Sequence, residues 1–159
     1  MVYLVYVAVM AALVVADIAT KQLVIDYFAE HGPRDFLFGL FRLRYVENTG
    51  AAFSSFSNST AALSAVTVIV IVACLIYLFT HVGKNRFVDI TFLLIIPGGA
   101  GNVIDRIAKG YVVDFIEPVF VNFAVFNFAD CCITVGAFML LGYEIYSCFG
   151  SRKVKNHDK

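Results

Sequence analysis

Charged residues are scarce in this sequence, and neither sign is in excess. Asp, Glu, Lys and Arg make up 15% of the 159 residues, whereas about 25% is usual for soluble globular chains. Basic and acidic residues number 12 each, so no excess of positive charge indicates a nucleic-acid partner. Because 60% of the residues are hydrophobic and the mean hydropathy is +0.83, we predict a single-domain integral membrane protein.

Cysteine and histidine are also few. The four cysteines include no CxxC pair, and they have no metal-type spacing with the three histidines. They lie in apolar segments, where a thiol acts as a small buried hydrophobic group: Cys74, Cys131, Cys132 and Cys148. The histidines stand in loops or in the tail, without an evident nucleophile to activate. We therefore expect no disulfide framework, no metal site and no cofactor.

Four apolar segments are long enough to cross a membrane. The first begins without the basic start of a cleavable signal peptide, so we interpret it as a retained helix. The second contains no charge over the ~20 residues that the hydrocarbon core requires. The predicted spans are residues 4–28, 61–80, 87–105 and 129–149. The remainder of this single membrane domain is predicted to be two loops and a basic tail, at 29–60, 106–128 and 150–159.

The distribution of basic residues predicts the orientation of these spans. Lys and Arg are denser in the short turn 81–86 and in the tail 150–159 than in the two longer loops. The positive-inside rule therefore places both termini in the cytoplasm and the long loops outside.

Both long loops contain extended segments. Residues 41–45 alternate apolar and basic side chains, which is the period of a strand with one face in water. Residues 111–117 are similar in character, and Pro118 ends the run. The aromatic-rich segment 119–128 is predicted to lie at the lipid interface. Residues 58–60, Asn-Ser-Thr, are interpreted as the N-terminal cap of the second span.

Polar residues are concentrated between Gly98 and Asp130, and in apolar surroundings such groups need partners or a function. Asp114 lies in an apolar extended run, where desolvation would raise the pKa of a carboxyl. Asp130 follows Asn127 by three residues; Asn127 is predicted to cap the fourth helix, whose first amides stabilise negative charge. The two aspartates are therefore candidates for amide hydrolysis, with Asp130 as base and Asp114 as acid.

The spacing alone leaves other classes of protein open. Paired carboxylates in membranes also serve proton relays and ion paths. A transporter would be expected to place its acids near the midplane and often to contain a two-fold repeat, whereas here the acids cluster near the interfaces and no repeat is found. A structural membrane subunit would not need Asn48, Asn102 and Asn127 near carboxylates.

Asp17 and Lys21 stand four residues apart and share one face of the first helix, so they are predicted to form an ion pair. The pair is interpreted as structural, with support of a polar site as the alternative role.

Five short motifs occur in order along the chain and cover residues 17–130. They are Asp17-x-x-Thr20-Lys21, Asn48-Thr-Gly50-Ala-Ala-Phe-Ser54, Gly101-Asn102-x-x-Asp105-Arg106, Val113-Asp114-Phe115 and Phe126-Asn127-x-Ala129-Asp130. With these motifs the sequence resembles the lipoprotein signal peptidase family (signal peptidase II), which are bacterial aspartyl proteases of the inner membrane. Other membrane aspartyl proteases typically carry a Gly-x-Gly-Asp pattern, which Val112-Val113-Asp114 lacks.

The resemblance implies an all-α integral membrane protein with four transmembrane helices and a small extracytoplasmic β-like cradle. The implied catalytic pair is Asp114 and Asp130. The positions that match substrate-binding residues are Asn48, Gly50, Asn102, Arg106 and Asn127. The positions that match structural support are Asp17, Lys21 and Asp105.

The implied activity is that of an aspartic endopeptidase without a cofactor. Its substrate would be a prolipoprotein whose lipobox cysteine carries diacylglycerol, and cleavage would fall just before that cysteine. The implied partners are this substrate and membrane lipids, with no nucleic acid and a monomeric enzyme in the bacterial cytoplasmic (inner) membrane. The site would lie at the extracytoplasmic interface.

Two departures from the family pattern concern helix packing. The glycine pair Gly98-Gly99 is displaced by one residue relative to the asparagine, and Cys131-Cys132 follows Asp130 where small or hydroxylated residues are commoner.

Overall fold

The computed structural model describes residues 1–50 and 60–157, with the side chains of the last helix described as far as Phe149. Within these ranges there are four long helices, α1 (Val2–Phe28), α2 (Thr60–His81), α3 (Arg86–Lys109) and α4 (Phe128–His157). Three short strands lie between them, β1 (Arg34–Phe36), β2 (Phe41–Asn48) and β3 (Val112–Pro118).

Each helix contains a segment that is long and apolar enough to span a membrane, and in α4 this segment is Phe128–Phe149. The apolar segment of α3 is 67% buried, compared with 6% in α1 and in α2 and 17% in α4. Helix α3 is therefore the centre of the bundle and contacts all three others. The other helices turn apolar side chains outward, which suits contact with lipid. The prediction of four membrane-length helices is confirmed.

Glycines allow α3 to contact its neighbours closely. A Cβ atom on Gly98 would lie 2.6 Å from the carbonyl oxygen of Ala129 in α4. A Cβ atom on Gly101 would overlap the carboxylate of Asp17 in α1. Gly136 of α4 faces α3 in the same way. Small residues thus set the distances between these helices, and the displaced glycine pair keeps a packing role.

The three strands form one antiparallel sheet in which β2 is central. In β2 and β3, Val46 pairs with Asp114 and Asn48 pairs with Val112, after an irregularity in register that follows Leu43. This register carries the side chain of Asn48 to that of Asp114. The sheet packs against α1 and α3, so its polar side chains reach the end of the helix bundle.

The predicted extended segment 41–45 lies in β2, and the predicted segment 111–117 coincides with β3 from Val112 onward. Strand β1 was not predicted, because three residues are too few to show an alternating pattern. The proposed cap at 58–60 lies partly outside the described residues, and the described part of α2 begins at Thr60.

All four helices are slightly longer than the predicted spans, and two of them extend well past the predicted C-terminal end. Helix α3 runs past residue 105, since Lys109 pairs with Asp105 at 2.9 Å, and it ends at Gly110 in the left-handed conformation (φ 85°). Helix α4 continues through most of the predicted tail to His157. The prediction ended at residue 149 because hydropathy marks only the part of a helix that lies in lipid, whereas polar residues with good helix propensity can continue the helix beyond it. Cys148 is exposed on α4, contrary to the buried location predicted for the cysteines.

Candidate active site

A buried lysine lies beneath the polar cluster. The Nζ atom of Lys21 is 2.8 Å from a carboxylate oxygen of Asp17, 3.0 Å from one of Asp105, and 2.9 Å from Oδ1 of Asn102. Lys21 and Asp17 are each only 1% exposed. The predicted ion pair of Asp17 and Lys21 is confirmed, and it is part of a larger network than the i,i+4 spacing alone indicated.

The two carboxylates of this network also tie separate elements together. Asp17 Oδ1 accepts a hydrogen bond from the backbone N–H of Ala129 at 3.0 Å, which joins α1 to the start of α4. Asp105 Oδ2 accepts one from the backbone N–H of Val113 at 3.2 Å, which joins α3 to β3. Lys21 therefore pairs with two carboxylates that position the segments carrying Asp114 and Asp130, and Lys109 supplies a second cation to Asp105.

Asp114 projects from β3 and is 2% exposed. Its Oδ2 accepts a hydrogen bond from Asn48 Nδ2 at 2.7 Å, and its Oδ1 accepts one from Asn127 Nδ2 at 2.6 Å. The backbone N–H of Gly50 donates to Asn48 Oδ1 at 3.0 Å. This contact fixes the side-chain amide of Asn48 with its NH₂ group toward Asp114.

Asp130 lies in the first turn of α4. Its Oδ1 accepts a hydrogen bond from Asn102 Nδ2 at 2.8 Å. Since Oδ1 of Asn102 faces the ammonium group of Lys21, the NH₂ group of Asn102 is left for Asp130. Asp130 Oδ2 accepts from the backbone N–H of Asn127 at 3.1 Å, and the backbone N–H of Asp130 donates to Asn127 Oδ1 at 2.9 Å. The predicted cap of α4 by Asn127 is confirmed.

Asn127 connects the two aspartates and is fully buried. Its side-chain nitrogen contacts Asp114, and its backbone N–H and side-chain oxygen both contact Asp130. The same nitrogen also lies 3.1 Å from Oδ1 of Asn102. One residue thus fixes both carboxylates relative to each other.

A cavity of about 500 Å³ contains both carboxylates. Six of the predicted site residues line it, namely Asn48, Gly50, Asn102, Arg106, Asp114 and Asp130. The other predicted positions lie behind its surface. Asn127 was predicted to line the site but is buried beneath it, because its side chain serves the cap and the two aspartates. A second cavity of about 260 Å³ adjoins the first at Asn48, Gly50 and Asp114.

The electrostatics of the cavity favour retention of a proton on Asp114. Burial raises the pKa of Asp114 to about 6 against the opposing hydrogen bond from Asn48, and the negative charge of Asp130 acts in the same direction as burial. Arg106, on the cavity wall, interacts favourably with the charges of Asp114 and Asp130. Its Nε atom is buried without a hydrogen-bond partner among the described residues.

The raised pKa of Asp114 predicts a pH-dependent stability that an Asp114→Asn variant lacks. The unfolded pKa is about 3.9, so the folded protein keeps this proton to higher pH. Its stabilising effect is complete below about pH 4 and is lost as the pH rises through 6. Between pH 4 and 7 we expect the unmodified protein to lose about 2 kcal/mol relative to the variant, measured by thermal unfolding in detergent. Parallel pH profiles would contradict the raised pKa.

The apolar walls of the cavity were not predicted from the sequence. They are formed by the segment before α4 and by one face of α4: Phe123, Ala124, Val125, Phe126, Cys131, Thr134 and Val135. Thr134 stands four residues after Asp130, so helical periodicity alone would have placed it on the same face. The remaining wall residues carry no comparable signal, because apolar side chains are common throughout the chain.

Together, the fold and the site define an integral membrane enzyme with an acidic pair enclosed at one end of its helix bundle. A family model described as signal peptidase (SPase) II matches residues 9–146. The chain therefore belongs to the signal peptidase II family, whose members are proteases that cleave lipoprotein signal peptides. The resemblance found in the sequence motifs is confirmed.

Individual relatives agree with this assignment. A lipoprotein signal peptidase of Streptococcus pneumoniae is 36% identical over 138 residues, covering 84% of this chain and 90% of the relative. One from Streptococcus pyogenes serotype M6 is 40% identical over 129 residues, covering 81% and 85%.

Two solved structures, both described as bacterial membrane enzymes, share the fold. The first has a TM-score of 0.82 at 25% identity and covers 91% of this chain and 89% of its own. The second has a TM-score of 0.75 at 26% identity and covers 86% and 90%. The predicted fold class, four helices with a small sheet, is thus confirmed.

Proposed function

We propose that Asp114 and Asp130 are the catalytic pair of this protease, and that it cleaves diacylglyceryl-modified prolipoproteins immediately before the lipidated cysteine. The observation that carries the proposal is one cavity in which β3 and α4 present two carboxylates, both held by Asn127. Two carboxylates in different environments can divide the roles of acid and base between them.

In the proposed mechanism Asp130 is the base and Asp114 is the acid. Water bound between them transfers a proton to Asp130 as its oxygen attacks the carbonyl carbon of the scissile peptide bond. The proton of Asp114 first hydrogen-bonds the carbonyl oxygen and is then donated to the leaving nitrogen as the C–N bond breaks. The pair begins and ends with one proton, so its apparent pKa values belong to both residues.

The neighbouring polar groups hold both carboxylates in place. Asn48 donates to Asp114, and its side-chain oxygen accepts from the backbone N–H of Gly50. Asn102 donates to Asp130, and its side-chain oxygen accepts from Lys21. Arg106 places positive charge on the wall of the same cavity. This charge would stabilise the oxyanion that develops on the substrate carbonyl.

The membrane supplies much of the binding energy for such a substrate. The acyl chains remain in lipid while the peptide bond enters the cavity, and each buried methylene contributes about 0.8 kcal/mol. The apolar cavity walls at Phe123, Val125 and Val135 suit this entry from the bilayer side. We propose a monomer in the bacterial inner membrane, with both termini cytoplasmic and the cavity at the extracytoplasmic interface.

A comparison of two precursors that differ only in lipidation tests the substrate assignment. In nanodiscs we expect the diacylglyceryl precursor to be cleaved with a kcat/KM at least about 100-fold higher than its unlipidated form, since loss of two acyl chains removes well over ~3 kcal/mol of binding. A precursor with one acyl chain should fall between them. Equal kcat/KM values for all three would exclude lipid-directed recognition, while cleavage of none would exclude the activity.

A further inference from the structure

The turn between β1 and β2 displays apolar side chains on the surface. We define residues 36–40, Phe-Leu-Phe-Gly-Leu, as the hairpin tip. Phe38 is fully exposed (104%), and Phe36, Leu37 and Leu40 are about half exposed. A turn in water is normally built from Gly, Asn, Asp, Ser or Pro, so this composition is that of a contact surface.

The backbone of the hairpin tip holds these side chains outward at a conformational cost. Leu37, Phe38 and Gly39 all have positive φ angles, of 47°, 58° and 80°. Only Gly adopts this left-handed region without penalty, and for bulky side chains it is a clear outlier. The backbone N–H of Leu40 donates to the carbonyl of Leu37 at 3.1 Å and closes the turn. Sustained strain of this kind is found where it serves a function.

A second exposed segment extends this surface. Residues 119–121, Val-Phe-Val, are 48%, 66% and 49% exposed. The backbone N–H of Val119 donates to the carbonyl of Leu40 at 2.9 Å, and the ring of Phe120 packs edge-on against that of Phe41, with centroids 5.8 Å apart. The hairpin tip and residues 119–121 therefore form one continuous surface, here called the apolar patch.

The position of the patch places it at the boundary of the bilayer. The sheet packs directly on α1 and α3, two membrane-length helices, and β3 begins at Val112, just after α3 ends at Lys109. Arg34 and Arg42 lie two residues before and two residues after the hairpin tip and are exposed, with Arg42 paired to Asp35 at 3.1 Å. Aromatic side chains with basic neighbours are characteristic of the headgroup level.

We propose that the apolar patch inserts into the boundary between headgroups and acyl chains of the bilayer leaflet on its side of the membrane. The occupant of the patch is the lipid of the membrane itself. Insertion covers Phe38 and the side chains around it, which are exposed in the folded chain. Insertion also fixes the depth of the sheet relative to the bilayer. Because the segment 119–121 leads directly into residues 123–126 of the cavity wall, it fixes the depth of the cavity as well.

A tryptophan at the tip provides a direct test. The sequence contains no tryptophan, so a Phe38→Trp variant of the full chain carries a single fluorophore. The protein is reconstituted in phosphatidylcholine–phosphatidylglycerol vesicles whose acyl chains are brominated either near the glycerol or near the methyl end. The matched control is Asp35→Trp, since Asp35 lies on the same hairpin with its polar side chain 63% exposed.

Insertion predicts blue-shifted emission from Phe38→Trp and quenching severalfold stronger than that of Asp35→Trp, greatest with bromine near the glycerol. Aqueous iodide should quench the two variants in the opposite order. Iodide quenching of Phe38→Trp equal to that of the control, without bromolipid quenching, would overturn the proposal. A blue shift that appears only with added precursor would also overturn it, because the patch would then bind substrate. A blue shift that depends on the protein-to-lipid ratio would overturn it as well, because a second copy of the chain would then cover the patch. No substrate is needed, so the result is independent of the proposed catalytic pair.

Discussion

Asp114→Asn and Asp130→Asn should each reduce kcat on the lipidated precursor by about 10²–10⁴-fold, the usual contribution of a general acid or base. An amide in place of Asp130 cannot take the proton of water, and one in place of Asp114 cannot donate a proton to the leaving nitrogen. Both side chains have nearly the same volume as the carboxylates they replace, so KM should change little. Single-turnover cleavage in nanodiscs measures the effect.

The double variant should be no slower than the slower single variant, because the two residues act as a unit. Asp26→Asn is the matched control. Asp26 lies on α1 in an exposed hydrogen bond to Gln22 at 2.8 Å, away from the cavity, and its substitution should leave kcat unchanged. If either active-site variant retains the rate of the unmodified protein, the catalytic pair is assigned incorrectly.

Lys21→Met should produce the largest loss of stability. It leaves the carboxylates of Asp17 and Asp105 buried without their shared cation, and breaking a buried ion pair costs about 3–5 kcal/mol. It also removes one of the two donors to Oδ1 of Asn102 and leaves only Asn127, so the amide that donates to Asp130 is held less firmly. We expect a lower thermal midpoint in detergent and, in the remaining folded protein, a lower kcat.

A second variant separates these two effects. Without Lys21, Asp105 keeps its ion pair with Lys109, whereas the buried carboxylate of Asp17 loses its cation. The double variant Lys21→Met/Asp17→Asn removes that unpaired charge, so part of the lost stability should return. The amide introduced at position 17 keeps a side-chain oxygen that can accept from the backbone N–H of Ala129, as the carboxylate of Asp17 does. The loss of kcat should persist, because Asn102 remains without its lysine. A Lys21→Met protein that unfolds at the same temperature as the unmodified chain would refute the structural role of the network.

Much of the candidate site could be predicted from short motifs, because a polar residue in an apolar chain is conspicuous. The ion pair of Asp17 and Lys21 follows from i,i+4 spacing, and the cap of α4 by Asn127 follows from the residue preferences of helix N-termini. These are local interactions, and local interactions are encoded within a few residues of each other.

Interactions between distant residues were beyond such inference. The contacts that orient the site join Asn48 to Asp114, Asn102 to Asp130 and Lys21 to Asn102, across 66, 28 and 81 residues of chain. The sequence pattern shows that each of these residues is polar, but it does not show which distant segments are in contact in the folded chain. The placement of Asn127 beneath the cavity was missed for this reason.

The sequence by itself determined that this chain has four membrane-length helices, that its extended segments lie between them, and to which family it belongs. Hydropathy, turn chemistry and ordered motifs are all properties of neighbouring residues. The tertiary structure decided that one asparagine holds both carboxylates, that a buried lysine fixes the amide beside Asp130, and that a strained hairpin carries Phe38 on its surface. These features arise only when helix packing and strand register bring separate segments together, because their energies depend on distance and burial.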